Sequence, residues 1–210
     1  MTTAGFAFAA LFAVAAPADW WSRWTGEGRL ERITKPIALL ALIGVAVTID
    51  PTDAAMRAWF VAALCLSLAG DVFLLDDRRF VQGLASFLLA HIAFTIGFVV
   101  APDWVWGRFA VAAVLMAILG VTVGARIVAG ARRRTSVLGP AVIAYLVAIS
   151  AMAAAAAASG NAWAILGAAL FVTSDALLGW RQFVRSVRWM SPAVMVTYHL
   201  GQAGLVASLL

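Results

Sequence analysis

The sequence predicts an all-α fold, a polytopic membrane bundle of eight transmembrane helices forming one membrane domain over residues 1–210. Three observations predict it. The chain is 64% hydrophobic and 12% charged, with a mean hydropathy of +0.98, far outside the range of water-soluble domains. Apolar runs long enough to cross about 30 Å of hydrocarbon at about 1.5 Å per residue recur along its length. Charges fall in short clusters between the runs, and the basic clusters occupy alternate connections.

Residues 4–18 are the first run. No Lys or Arg precedes it, so it reads as a retained helix, although AVAAPAD resembles a signal-peptide cleavage site. Residues 36–50 follow, as short as the first. The third run, 56–75, holds Cys65, which has no disulfide partner and reads as small core packing. Run 80–100 contains His91, and run 104–124 carries no ionisable group beyond Arg108. Run 137–159 includes the low-complexity stretch Ala153 to Ala158, which permits close helix approach. Run 162–180 is the seventh, and 191–210 closes the chain with Tyr198, His199 and Gln202 on one polar stripe. Trp20, Trp21, Trp24, Trp104, Trp106 and Trp189 sit at predicted helix ends, where interfacial belts favour them.

A net charge of +5 would suggest nucleic acid in a soluble protein. Here the distribution decides otherwise. Arg23, Arg29, Arg32, Lys35, Arg78, Arg79, Arg126, Arg132, Arg133, Arg134, Arg181, Arg185 and Arg188 belong to connections 1–2, 3–4, 5–6 and 7–8, leaving only Arg57 and Arg108 for the other face. The positive-inside rule makes those four connections cytoplasmic and puts both termini on the non-cytoplasmic side. The expected location is the bacterial cytoplasmic membrane. The run at 132–134 reads as a topology signal and a contact for anionic membrane lipid, with no nucleic-acid partner.

Shifting the sequence by 104 residues aligns 36–75 with 140–179 without a gap, matching Pro36 to Pro140, Ala58-Trp59 to Ala162-Trp163, Leu66 to Leu170, Asp71 to Asp175 and Leu74 to Leu178. Eight of forty positions are identical. The pattern suggests a 4+4 parallel internal repeat with halves 1–103 and 104–210, related by an axis along the membrane normal. Asp71 and Asp175 would then lie at equal depth, roughly 6 to 8 Å inside the cytoplasmic boundary, facing one cavity.

Those two aspartates are the leading catalytic candidates, because an ionised carboxylate in a hydrocarbon helix costs several kcal/mol and is retained mostly for chemistry or transport. No Lys or Arg lies in the apolar stretches immediately around them, LCLSLAGDVFLL and GAALFVTSDALLGW, so pairing with a buried cation is not expected. Ser67, Thr173 and Ser174 are placed to donate hydrogen bonds to the carboxylates. Two such groups in little solvent would divide acid and base roles. That division suits cleavage of an acetal-like or enol-ether bond. Neither a metal site nor a cofactor is expected: no imidazole and carboxylate occur at i, i+3 or i, i+4. There is no G-x-S-x-G nucleophile elbow.

Taken together, Thr34-Lys35-Pro36, Gly70-Asp71, Gly83, Phe87 and His91, Ser174-Asp175, and Tyr198 with Gln202 resemble the YhhN family, which includes lysoplasmalogenases. The resemblance implies an eight-helix membrane hydrolase that cleaves the vinyl ether bond of a lysophospholipid, the lysoplasmalogen, to a fatty aldehyde and glycerophosphoethanolamine or glycerophosphocholine. It implies that Asp71 and Asp175 are the catalytic pair. Where many members carry Tyr-Tyr-x-Ala-Gln, this chain has Tyr198-His199-Leu200-Gly201-Gln202. Lys35 is a candidate point charge for the phosphate. Ser67, Ser174, His91, Tyr198, His199 and Gln202 complete the candidate substrate-binding set, with the two histidines lining a deeper wall. A proton-coupled small-molecule or lipid transporter is the alternative reading. No sequence feature reports the oligomeric state.

Overall fold

The computed structural model describes residues 2–101 and 103–210, the Asp77 side chain excepted. Eight helices, and no strand among the described residues, build the chain: α1 Thr3–Thr25, α2 Gly28–Thr48, α3 Ala54–Phe73, α4 Phe80–Val100, α5 Trp106–Arg134, α6 Leu138–Ser159, α7 Ala162–Phe183 and α8 Met190–Ala207. A 3₁₀ turn, Asp77–Arg79, leads into α4. Local chemistry sets several boundaries. Thr2, Asp53 and Asn161 cap the orphan amides of α1, α3 and α7 through their side-chain oxygens. Gly26 and Gly160 stop α1 and α6 at positive φ, +81° and +70°, where side chains are disfavoured.

Six helices, α1 and α3 to α7, are long and apolar enough to cross a membrane. The protein is an integral multi-pass membrane protein. α2 and α8 are not among the six. The first turns of α2 carry Arg29, Glu31, Arg32 and Lys35, and α8 carries Tyr198, His199 and Gln202.

Helical structure outruns several apolar limits expected from sequence. α1 continues to Thr25, α2 begins two turns before Pro36, and α5 runs on through the arginines to Arg134. The reason is that an α-helix satisfies its backbone internally whatever its side chains are. Charges therefore ride on helix ends, and only Gly26 and Glu27 separate α1 from α2. A π turn at Gly120–Gly124 interrupts α5.

Consecutive helices pair as α1 with α2, α3 with α4, α5 with α6 and α7 with α8. Between pairs, α2 lies on α3, α4 on α6, α6 on α7, and α8 on both α1 and α2. Backbones come close at the α7–α8 seam: a Cβ on Gly167 would meet Leu205 N at 2.6 Å and Gly201 O at 2.8 Å. The core between α3 and α4 is aromatic, with Phe60 edge-on to Phe94 and Phe98 at centroid distances of 5.0 Å each.

Candidate active site

Asp71 lies near the end of α3 and is buried. Gly70 beside it lets α4 close in, since a Cβ there would strike the Phe87 ring at 2.6 Å. The Lys35 Nζ stands 3.1 Å from Asp71 Oδ1, and the Tyr198 hydroxyl donates to Oδ2 at 2.8 Å. Ammonium and carboxylate side chains are only 4% and 2% exposed. The expectation that no cation would lie within helical reach of the aspartates is thus corrected. Because α2 starts at Gly28, Lys35 is in its second turn and turns inward to Asp71.

Asp175 sits about two turns before the end of α7. Its Oδ2 accepts from the Tyr145 hydroxyl at 2.5 Å and lies 3.1 Å from His91 Nε2, which is itself 3.0 Å from that hydroxyl. His91 is therefore a direct partner of a carboxylate rather than part of a deeper wall. The His91 ring packs edge-on against Tyr145 and Phe171. Asp175 is the more reachable carboxylate, with its side chain 11% exposed. Tyr145 was missed in the sequence. Its signal was its rarity: one of two tyrosines in the chain, it lies mid-run, where a buried hydroxyl must find an acceptor.

Both carboxylates line one polar cavity, together with Lys35, Tyr198, Arg23 and Arg181. A second cavity, between α4, α5, α6 and α7, is walled mainly by aliphatic and aromatic side chains. Asp175, Phe87, Leu74, Phe80 and Leu178 line both. Asp175 thus occupies the wall where a polar chamber meets an apolar one. At the polar rim the Arg78 guanidinium and backbone N–H hydrogen-bond Asp76, holding its carboxyl below the usual carboxylate range.

Other expected site residues are placed elsewhere. Ser174 Oγ donates to the Val194 carbonyl at 3.0 Å, Thr173 to the Ala169 carbonyl at 2.8 Å, and buried Ser67 makes no hydrogen bond among the described residues. None of the three serves a carboxylate. A hydroxyl on a helix readily satisfies a carbonyl one turn back or on a facing helix, whereas the phenols reach further. His199 turns toward α1, where its Nδ1 accepts from the Trp20 indole at 3.0 Å. Trp20, expected in an interfacial belt, is thus half-buried and bonded. Gln202 is buried one turn from Tyr198 on α8. Asp19, which the short first run left outside, is fully buried in α1 and accepts from Thr34 Oγ1 at 3.3 Å.

Comparison of the sequence with known proteins finds relatives. The chain is 33% identical over 170 residues to proteins named lysoplasmalogenase from Mycobacterium bovis and Mycobacterium tuberculosis, a stretch covering 78% of this chain. It spans 64% of the length of those relatives. No solved structure matches it. The model of the YhhN family matches residues 30–209, from the first turn of α2 to the last residue but one, and the chain belongs to that family.

Proposed function

We propose that the protein hydrolyses the vinyl ether bond of lysoplasmalogens, as the name of its mycobacterial relatives suggests. The observation that carries the reading is the position of Asp175 at the junction of the polar and apolar cavities. A single-chain lipid needs that division: its phosphodiester belongs in the polar chamber beside Arg23 and Arg181, its hydrocarbon in the apolar one. The vinyl ether joins the two parts and falls at Asp175.

In this mechanism Asp175, the more exposed acid, delivers its proton to the β-carbon of the vinyl ether, leaving an oxocarbenium ion. Asp71 remains a carboxylate because the Lys35 ammonium is its fixed counter-ion, and it stabilises the developing positive charge. Water adds to the oxocarbenium carbon and gives a proton back to Asp175. The resulting hemiacetal collapses to fatty aldehyde and the glycerophospho alcohol. Tyr145 and His91 hold Asp175 and offer a path for its proton.

The same reading extends to architecture. All eight helices cross the membrane, with the arginine-rich ends cytoplasmic and both termini outside, in a bacterial cytoplasmic membrane. The halves 1–103 and 104–210 form a parallel repeat. In support, the last helix of each half reaches the aspartate of the other: Tyr198 to Asp71, His91 to Asp175.

Purified protein incubated with lysoplasmalogen and, separately, with the matching acyl lysophospholipid tests the reaction. Aldehyde should appear from the vinyl ether alone and vanish in both Asp71→Asn and Asp175→Asn. Full turnover in either variant, retained with normal folding, sinks the two-aspartate mechanism. Transport of the lipid into vesicles without aldehyde would favour a carrier.

A further inference from the structure

The apolar cavity is closed on one side by α5, whose first half is loosely held. Its stretch Trp106–Leu119 has no buried residue, and the helix leans on α6 far more than on α4 or α7. Where it covers the cavity its regular hydrogen bonding gives way to the π turn Gly120–Gly124. Gly120 lines the inner cavity and also an outer groove between α5 and α6. That groove faces the bilayer, for Val121 and Val147 on its walls are 73% and 64% exposed. A Cβ built on Gly120 would meet nothing within 4 Å. Packing does not demand this glycine, and its φ is ordinary for a helix. Gly124, one turn on, differs: its Cβ would come within 3.0 Å of Leu146. Met116, one turn before Gly120, borders the inner cavity and the outer groove as well.

We infer that Gly120 is a lateral portal through which the hydrocarbon tail of a single-chain lipid passes between the bilayer and the apolar cavity. The inference rests on the lipid-hydrolase reading for the identity of the tail. The physical case is adjacency. Met116, Gly120, Gly124, Leu146 and Ser150 border both the inner cavity and the outer groove, Gly120 puts no side chain between them, and a lipid tail crossing there exchanges one hydrocarbon environment for another at little cost. The polar chamber is lined by Arg23, Asp76 and Arg181 at the charged helix ends, so on the proposed topology the headgroup need not pass the portal.

The test uses full-length protein in phosphatidylcholine vesicles, with Gly120→Ala, Gly120→Leu and Gly120→Phe. One readout is photo-crosslinking by a lysophosphatidylcholine carrying a diazirine near the end of its chain, mapped by peptide mass spectrometry. The other is aldehyde release from long-chain lysoplasmalogen. Label on the inner wall, at Ile149 or Val172, should fall by about tenfold or more from Gly120 to Phe, in order of side-chain size. KM for the lipid should rise by a similar factor while kcat changes less than about twofold. Equal inner-wall labelling in wild type and Gly120→Phe overturns the portal, as does a loss that does not follow side-chain size. The graded series keeps the test decisive should the Phe variant fold poorly. Labelling that depends on residue 120 without aldehyde from wild type retains the portal and sinks the hydrolase. Aldehyde release with unchanged KM in Gly120→Phe does the reverse.

Discussion

Lys35→Met is the sharpest test of how the site is held. The ammonium stands 3.1 Å from Asp71 Oδ1, and both side chains are nearly sealed from solvent. At an effective dielectric of about 20, two unit charges at that separation attract by about 5 kcal/mol. Dehydrating both groups cancels most of that gain, so the pair adds little net stability. Removing one partner is different, since it strands the other as a buried charge, at about 3–5 kcal/mol. Lys35→Met should therefore destabilise the protein by about 3–5 kcal/mol, whereas adding Asp71→Asn to it should recover most of the loss, because no charge is then left. Reversible unfolding in mixed micelles, run on wild type, both single variants and the double, measures the coupling. Additive effects of the two substitutions would refute the view that Lys35 and Asp71 form one unit.

Three further expectations follow from distances in the bundle. Tyr145→Phe removes the 2.5 Å donor to Asp175 and should lower kcat roughly 10- to 100-fold with stability little changed, as the carboxylate that forms when Asp175 gives up its proton loses a hydrogen bond worth about 1.5–3 kcal/mol; aldehyde kinetics check it. Gly167→Ala forces a methyl against backbone atoms at 2.6 and 2.8 Å that cannot swing aside, so α7 and α8 must part; thermal unfolding in detergent should report a loss of about 1–3 kcal/mol. Trp20→Phe leaves the buried His199 Nδ1 without its 3.0 Å donor, at about 1–3 kcal/mol of stability by the same assay, while turnover stays within about twofold.

Much of the fold was legible because bilayer thickness writes itself into run length. Every expected run coincides with a helix, and Asp71 and Asp175 stand out from sequence alone as charges that hydrocarbon does not tolerate idly. What hydropathy could not give is where a helix continues after its apolar stretch ends. That one blind spot accounts for three errors: Lys35 left outside α2, Asp19 and Trp20 left outside α1, and the arginines up to Arg134 assigned to a connection. The partners of the carboxylates were illegible for a second reason. Sequence neighbours such as Ser67 and Ser174 suggest themselves, but the bonds go to Tyr145, His91, Lys35 and Tyr198 on other helices, and helix order around a bundle leaves no trace in a single sequence.

That pattern of long-range partners has a consequence for catalysis. A carboxylate bonded within its own helix keeps its setting through any motion of that helix. Here each aspartate depends on neighbours: Asp71 on α2 and α8, Asp175 on α4 and α6. The geometry is therefore only as rigid as the helix seams, and the seams behind it are the close ones. α7 and α8 touch through Gly167, Gly201 and Gly204, and α3 meets α4 where Gly70 admits Phe87. In contrast, α5 contributes no bond to either aspartate and is the least embedded helix, with the π turn at its middle. The bundle thus separates two demands that conflict in a membrane enzyme. Fixed dipoles around the reacting bond require helices that do not move, and exchange of a lipid tail requires one that does. A substitution that loosens α7 against α8 should lower kcat, whereas one that obstructs α5 at Gly120 should act on KM, and that opposition distinguishes a preorganised site from one assembled by the substrate.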